Sequence, residues 1–217
     1  MIDDKSAQKF LKMSEKEFDK YMCETYPNIF RERTMPMNQT CMCWGFSIGK
    51  GWYAILDRLC DKLQVIEKVS GVAVIFTQIK EKFGGARYYY RLEYKKGKNI
   101  NPIYYAIYAD MIGALIHAAE NKSDSTCAEC GDCRFEMITI GSWVYDVCEK
   151  CFPKLFPDRV KLFEDRNKKR DIWTKLDSIY PYVNNKELRE LVGFTKSVTK
   201  RMAADTKKRL ERLDNTK

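Results

Sequence analysis

The sequence predicts an α+β fold, a small antiparallel hairpin or sheet packed with helices, from three observations. Residues 72–80 and 86–94 are rich in β-branched and aromatic side chains and are joined by Lys82-Phe83-Gly84-Gly85, a strand–turn–strand pattern. Two stretches on either side, 52–68 and 102–120, instead repeat their apolar residues every three or four positions, the period of a helix. Beyond residue 121 the pattern changes to paired cysteines and then to dense positive charge.

In chain order, Ser14-Glu15-Lys16-Glu17 has the capping-box spacing, in which a serine and a glutamate three residues on satisfy each other's free backbone N–H groups. Phe18, Tyr21 and Met22 follow on one helical face, and Pro27 ends the helix. Residues 31–40 form a polar loop, and Gly49-Lys50-Gly51 makes a glycine-spaced turn. It leads into the helix over 52–68, whose stripe of Ile55, Leu56, Leu59, Leu63 and Ile66 must pack on something. After the hairpin and a polar loop over 95–101, the second helix is expected to turn Tyr104, Ile107, Tyr108, Met111, Leu115 and Ala118 inward. On the second strand Arg87, Tyr89 and Arg91 share one face. Tyrosine between arginines suits stacking on single-stranded bases or a protein interface, and a plain polar sheet face explains it with nothing added.

Cys127-Ala128-Glu129-Cys130 and Cys148-Glu149-Lys150-Cys151 are two C-x2-C pairs with 17 residues between them. Thiolates at this spacing reach the corners of a tetrahedron around one Zn(II) ion, and Gly131 supplies the tight turn after the first pair. Strand-like runs over 134–140 and 143–147, joined at Gly141-Ser142, make the intervening hairpin of a zinc ribbon. Four sulfurs leave the metal no open position, so the ion is expected to fold the ribbon and not to catalyse. Cys133 repeats the spacing and either substitutes for Cys127 or lies beside the site as a spare thiol. Cys41 and Cys43, with Cys23 or Cys60, are either a second metal set or ordinary buried thiols.

The nine cysteines are odd in number, and Met1-Ile2-Asp3-Asp4-Lys5 lacks a secretory leader's apolar run. A reducing cytoplasm is the expected compartment, and no apolar run reaches the ~18 residues of a membrane span. The net charge is +9, and 157–217 hold 17 Lys plus Arg against 10 Asp plus Glu, which places +7 of it there. Within that segment 168–183 has helical spacing, and 184–202 has the form of a helix-turn-helix with Gly193 at the turn and Thr195 as cap, or of a plain helical hairpin. Lys196, Lys200, Arg201, Lys207, Lys208 and Arg212 share one arc of the last helix and are the candidate phosphate and base contacts, the bland alternative being a solvated charged face. Three segments follow: an α+β core over 1–121, a zinc ribbon over 122–156 and a basic helical arm over 157–217.

Several catalytic classes lack their residues. His117 is the only histidine, which excludes a histidine-rich nuclease centre, and no Ser or Cys motif marks a nucleophile. Gly84-Gly85 is too little for a phosphate loop. The remote alternative is a metal-dependent nuclease built from Gln78 and Lys80 at a strand end with Asp57 or Asp61.

The run Gly51-Trp52-Tyr53, the segment Lys80-Glu81-Lys82-Phe83-Gly84-Gly85, and Ala119-Glu120 leading into the four-cysteine ribbon resemble a family of bacteriophage and prophage proteins in their order and spacing. The resemblance covers about residues 43–151. It implies a phage origin and a fused α+β-plus-ribbon unit, but no activity, and the basic segment after Cys151 departs from the pattern. The expectation is therefore a non-enzymatic, regulatory nucleic-acid-binding protein, DNA being the favoured ligand. The alternative is a factor that docks on a host or phage machine such as RNA polymerase or a defence enzyme.

Overall fold

The computed structural model describes residues 4–94, 101–132, 138–140 and 142–179. The chain divides into one unit over 1–160 and a second over 161–217.

The first unit opens with α1 (Asp4–Leu11) and α2 (Glu15–Thr25). The capping box forms: Ser14 N–H donates to Glu17 Oε2 at 2.8 Å, and Glu17 N–H donates to Ser14 Oγ at 3.3 Å. Phe18 and Met22 are buried and Tyr21 packs against the core edge. Phe18 stacks on Tyr53 with ring centroids 3.6 Å apart, which ties α2 to the start of α3 (Tyr53–Ser70). Four residues of the expected α3 stripe, Ile55, Leu56, Leu59 and Leu63, are buried, and Ile66 is partly so. Gly71 at φ 80° closes the helix, in the left-handed conformation that glycine adopts without strain.

β2 (Val72–Lys82) and β3 (Gly85–Tyr94) pair antiparallel from Val72↔Tyr94 to Lys82↔Gly85, with a bulge at Thr77. Phe83 at φ 56° and Gly84 at φ 82° are the two turn residues, both with the positive φ that matches strand twist in a two-residue hairpin. The short β1 (Phe46–Ser47) adds parallel to β2, with Phe46 opposite Ile79, and completes a three-stranded sheet of order β1-β2-β3. Val72–Phe76 are buried on both faces, which is why that stretch is continuously apolar where a half-exposed strand would alternate. On β3, Arg87 is paired with Asp124, and Arg91 with Glu32 and Glu93, so the arginine face is already engaged by carboxylates.

The second long helix is α4 (Pro102–Asp124), started by Asn101, whose side chain accepts from Ile103 N–H at 2.9 Å. Its inward face is not the expected one. Ile112, Ile116, Ala119 and Ser123 are buried, with Tyr108 and Leu115 packed at the core's edge. Tyr104, Ile107, Met111 and Ala118 are exposed. The helix is apolar on two faces, so periodicity alone did not distinguish the one against the sheet. Its C-terminal end is laced to β3: Tyr88 N–H donates to Glu120 Oε1 at 3.0 Å and Ala86 N–H to Ser123 Oγ at 2.8 Å.

β4 (Ile138–Ile140) and β5 (Trp143–Tyr145) pair antiparallel as the ribbon hairpin. A single turn of helix, α5 (Phe152–Leu155), and a 3-10 turn over Pro157–Arg159 precede α6 (Val160–Ile179). The second unit is described only as far as Ile179. The helix-turn-helix reading of 184–202 therefore lies outside the described residues. Among them, no helix is long and apolar enough to cross a membrane.

Candidate metal centre

The sulfurs of Cys127, Cys130, Cys148 and Cys151 lie within 4.8 Å of one another, and those of Cys130 and Cys148 are 3.7 Å apart. Sulfurs at about 2.3 Å from a central ion at tetrahedral angles are about 3.8 Å from each other, so the donor set fits one tetrahedral thiolate-bound metal. None of the four is in a disulfide. Cys127, Cys148 and Cys151 are buried and Cys130 is half-buried, so water has little access to the centre.

Backbone geometry explains how each pair presents its sulfurs. In the first knuckle Gly131 N–H donates to Cys127 O at 2.9 Å, with Gly131 at φ 71°, the conformation for which a glycine follows the pair. In the second, Cys151 and Phe152 N–H both donate to Cys148 O at 2.9 Å. Phe152 sits where the first knuckle has Gly131, because the chain here continues into α5 instead of reversing. Cys148 N–H donates to Cys127 Sγ at 3.2 Å, a bond that favours the thiolate and joins the two knuckles. Behind them Tyr145, Phe152 and Phe156 pack with centroids 4.9 to 5.2 Å apart, and Arg159 donates to the Tyr145 hydroxyl at 2.5 Å.

Burial pushes the Cys127 thiol up to about 11, against the N–H groups of Cys130 and Cys148. Burial and the neighbouring thiols of Cys148 and Cys130 drive Cys151 up as well. For Cys148 burial also opposes ionisation, but the N–H of Cys151 and the adjacent thiols outweigh it and hold that group below the usual thiol range. Four sulfurs so close cannot all ionise on their own. A divalent cation among them reverses the balance by displacing the protons.

The first knuckle is also clamped from outside. The turn Gly49-Lys50-Gly51-Trp52, ahead of α3, runs against residues 126–131: Gly51 N–H donates to Ala128 O at 2.7 Å, the Trp52 indole N–H donates to Thr126 O at 2.5 Å, and Lys50 pairs with Glu129 at 2.5 Å. A Cβ on Gly49 would stand 2.3 Å from Ala128 O, and one on Gly51 2.1 Å from Cys127 O. Both glycines are there because two backbones touch. In the sequence Gly49-Lys50-Gly51 shows only as a turn. The usable signal was glycine at two alternate positions next to a tryptophan that has to be buried.

Among the described residues the other candidates form no second group of metal-ligating side chains. Among the described residues, Cys23, Cys41, Cys43 and Cys60 belong to no such cluster; Cys43 donates to Thr40 O at 3.2 Å, and burial pushes the Cys60 thiol well up. Asp57 and Asp61 accept from the Tyr26 hydroxyl at 2.9 and 2.8 Å, while the Lys80 ammonium sits 5.2 Å from the Tyr89 ring centre. His117 is exposed beside Asn121 at 3.1 Å. Cys133, Lys196, Lys200, Arg201, Lys207, Lys208 and Arg212 lie outside the described residues. No family model, curated protein or solved structure matches the chain.

Proposed function

We propose that the chain is a non-catalytic binding protein in which one structural zinc ion, held by Cys127, Cys130, Cys148 and Cys151, fixes the ribbon onto an α+β body, and in which the basic segment 157–217 engages nucleic acid. The closed four-sulfur cluster carries the first part: every donor comes from the protein, so the ion has no position for substrate or water. Zinc is the ion of choice for four thiolates in a reducing cytoplasm, since it takes tetrahedral geometry without redox chemistry. The concentration of +7 of the +9 net charge in 157–217 supports the second part, through counterion release from phosphate. The sequence of 184–202, read as a helix-turn-helix rather than as a plain helical hairpin, supports DNA over RNA, and the resemblance of residues 43–151 supports a phage origin.

The test is a salt titration of DNA and RNA binding by the full chain. Replacing Lys196, Lys200 and Arg201 together is expected to lower the slope of log affinity against log salt by about one unit for each phosphate that the variant no longer neutralises. Unchanged binding by the triple variant at low salt rejects the nucleic-acid reading. A second reading, docking on a protein partner, is supported by the exposed apolar side chains of α4.

A further inference from the structure

The apolar stripe of α4 that faces solvent has a counterpart on α3. Tyr104, Ile107, Met111, Leu115, Ala118 and Lys122 follow one another at three- and four-residue steps along one face of α4. Tyr104 is 60% exposed, and Ile107 and Met111 are 47% exposed each. On α3, Lys62, Val65 and Val69 follow one another in the same way, with both valines exposed. The α4 stripe runs, at Leu115, Ala118 and Lys122, into a cleft of about 310 Å³ whose other wall is Ile55, Arg58, Leu59 and Lys62 of α3. Lys62 from α3 and Lys122 from α4 stand on its two sides, and among the described residues no carboxylate lines it.

From this we propose that the α3/α4 groove docks an amphipathic helix of a partner protein that carries carboxylates along its flank. Exposed apolar residues in an unbroken helical stripe mark an interaction surface, because a soluble chain gains nothing by keeping them in water. Two helices with a cleft between them form a trough, and a trough takes a helix whose leucine-sized anchors are spaced at i, i+3/i+4 and i+7. The two lysines that flank it choose the partner's charge. A second copy of this chain meeting it groove to groove would bring the same lysines and no acid, so it fits less well. A lipid surface takes a helix face laid flat upon it, whereas this cleft is recessed between two helices. The proposal does not depend on nucleic-acid binding by the arm.

The experiment uses the full metal-loaded chain and two labelled synthetic peptides of about 18 residues, five helical turns each. Both carry leucine at i, i+3/i+4 spacing; one is flanked by glutamate and the other by lysine. Fluorescence polarisation is expected to show the glutamate peptide binding at least tenfold tighter. Ile107→Glu with Met111→Glu should abolish that binding without changing metal content or the unfolding temperature, and Lys62→Glu with Lys122→Glu should invert the preference between the peptides. If the first pair of substitutions disturbs folding, the charge reversal decides alone. Equal affinity for the two peptides, or binding of neither, overturns the proposal. So does a concentration-dependent dimer in sedimentation, or capture on anionic phospholipid vesicles, that Ile107→Glu with Met111→Glu abolishes.

Discussion

Replacing Gly51 by alanine tests whether the metal knuckle is part of the body or merely attached to it. The new Cβ would lie 2.1 Å from Cys127 O and 2.7 Å from Gly131 N, where ordinary contact begins near 3.4 Å. The two backbones must part by roughly 1 Å, since a dense interior has no slack to absorb the overlap. Stretched that far, the 2.7 Å bond from Gly51 N–H to Ala128 O no longer qualifies as one, and the neighbouring bond from the Trp52 indole to Thr126 O breaks with it. Overpacking costs about 1–3 kcal/mol, and each buried donor left without a partner about 1–3 kcal/mol, so the variant should be destabilised by about 3–4 kcal/mol after relaxation. For a chain of this size that is a fall of about 10 °C in unfolding temperature. The strain is relieved by letting the knuckle go, so zinc affinity should drop about 100-fold, at 1.4 kcal/mol for each factor of ten. Competition with a chromophoric chelator reads the affinity and calorimetry reads the stability. Gly113→Ala is the control: on α4 its Cβ would meet only the Tyr90 hydroxyl, at 3.7 Å, and alanine should stabilise the helix by about 0.5–1 kcal/mol. Gly51→Ala with wild-type zinc affinity and unfolding temperature would refute the clamp.

Three further outcomes are expected. Cys148→Ser should remove the bound metal and the ribbon's resistance to protease, measured by metal analysis and limited proteolysis, because three thiolates leave the ion an open position. Burial raises the Asp57 carboxyl above its ordinary value of 3.8, partly offset by hydrogen bonds from Tyr26 and Tyr21, so the folded state holds a proton that the unfolded state has released. This group's contribution is full below pH 3.8 and is lost as pH rises through the raised folded value; Asp57→Asn should therefore gain stability relative to wild type across that window in urea titrations. A chain ending at Val160, the limit of the first unit, should keep its metal and its cooperative unfolding, read by metal analysis and circular dichroism.

How much of this was legible in the sequence depended on how far apart the interacting residues lie. The hairpin was, because Phe83-Gly84 and the β-branched runs on either side act on one another locally. The knuckles were, because metal ligation fixes both residue type and spacing. β1 was not, since two residues carry no period, and its pairing with Ile79 and Lys80 is set by the fold around it. The phase of α4 was misjudged because Ile112, Ile116 and Ala119 on one face compete with Tyr104, Ile107 and Met111 on another, and only the sheet decides between them. The clamp at Gly49 and Gly51 depends on a partner more than seventy residues away, and no local pattern announces it.

That separation has a consequence for biosynthesis. The Trp52 indole and its acceptor on Thr126 are 74 residues apart, so a growing chain presents the turn well before the knuckle leaves the ribosome. The hairpin pairs locally and α3 precedes it directly, so both are able to collapse early; closing the larger loop costs more entropy and comes later. With the zinc ion proposed above, metal capture is a finishing step, and until it happens the start of α3 waits for its final partners. In a zinc-starved cell newly made chains would accumulate with Trp52 unburied, and a shift in tryptophan emission on adding zinc to freshly translated protein would reveal that stage.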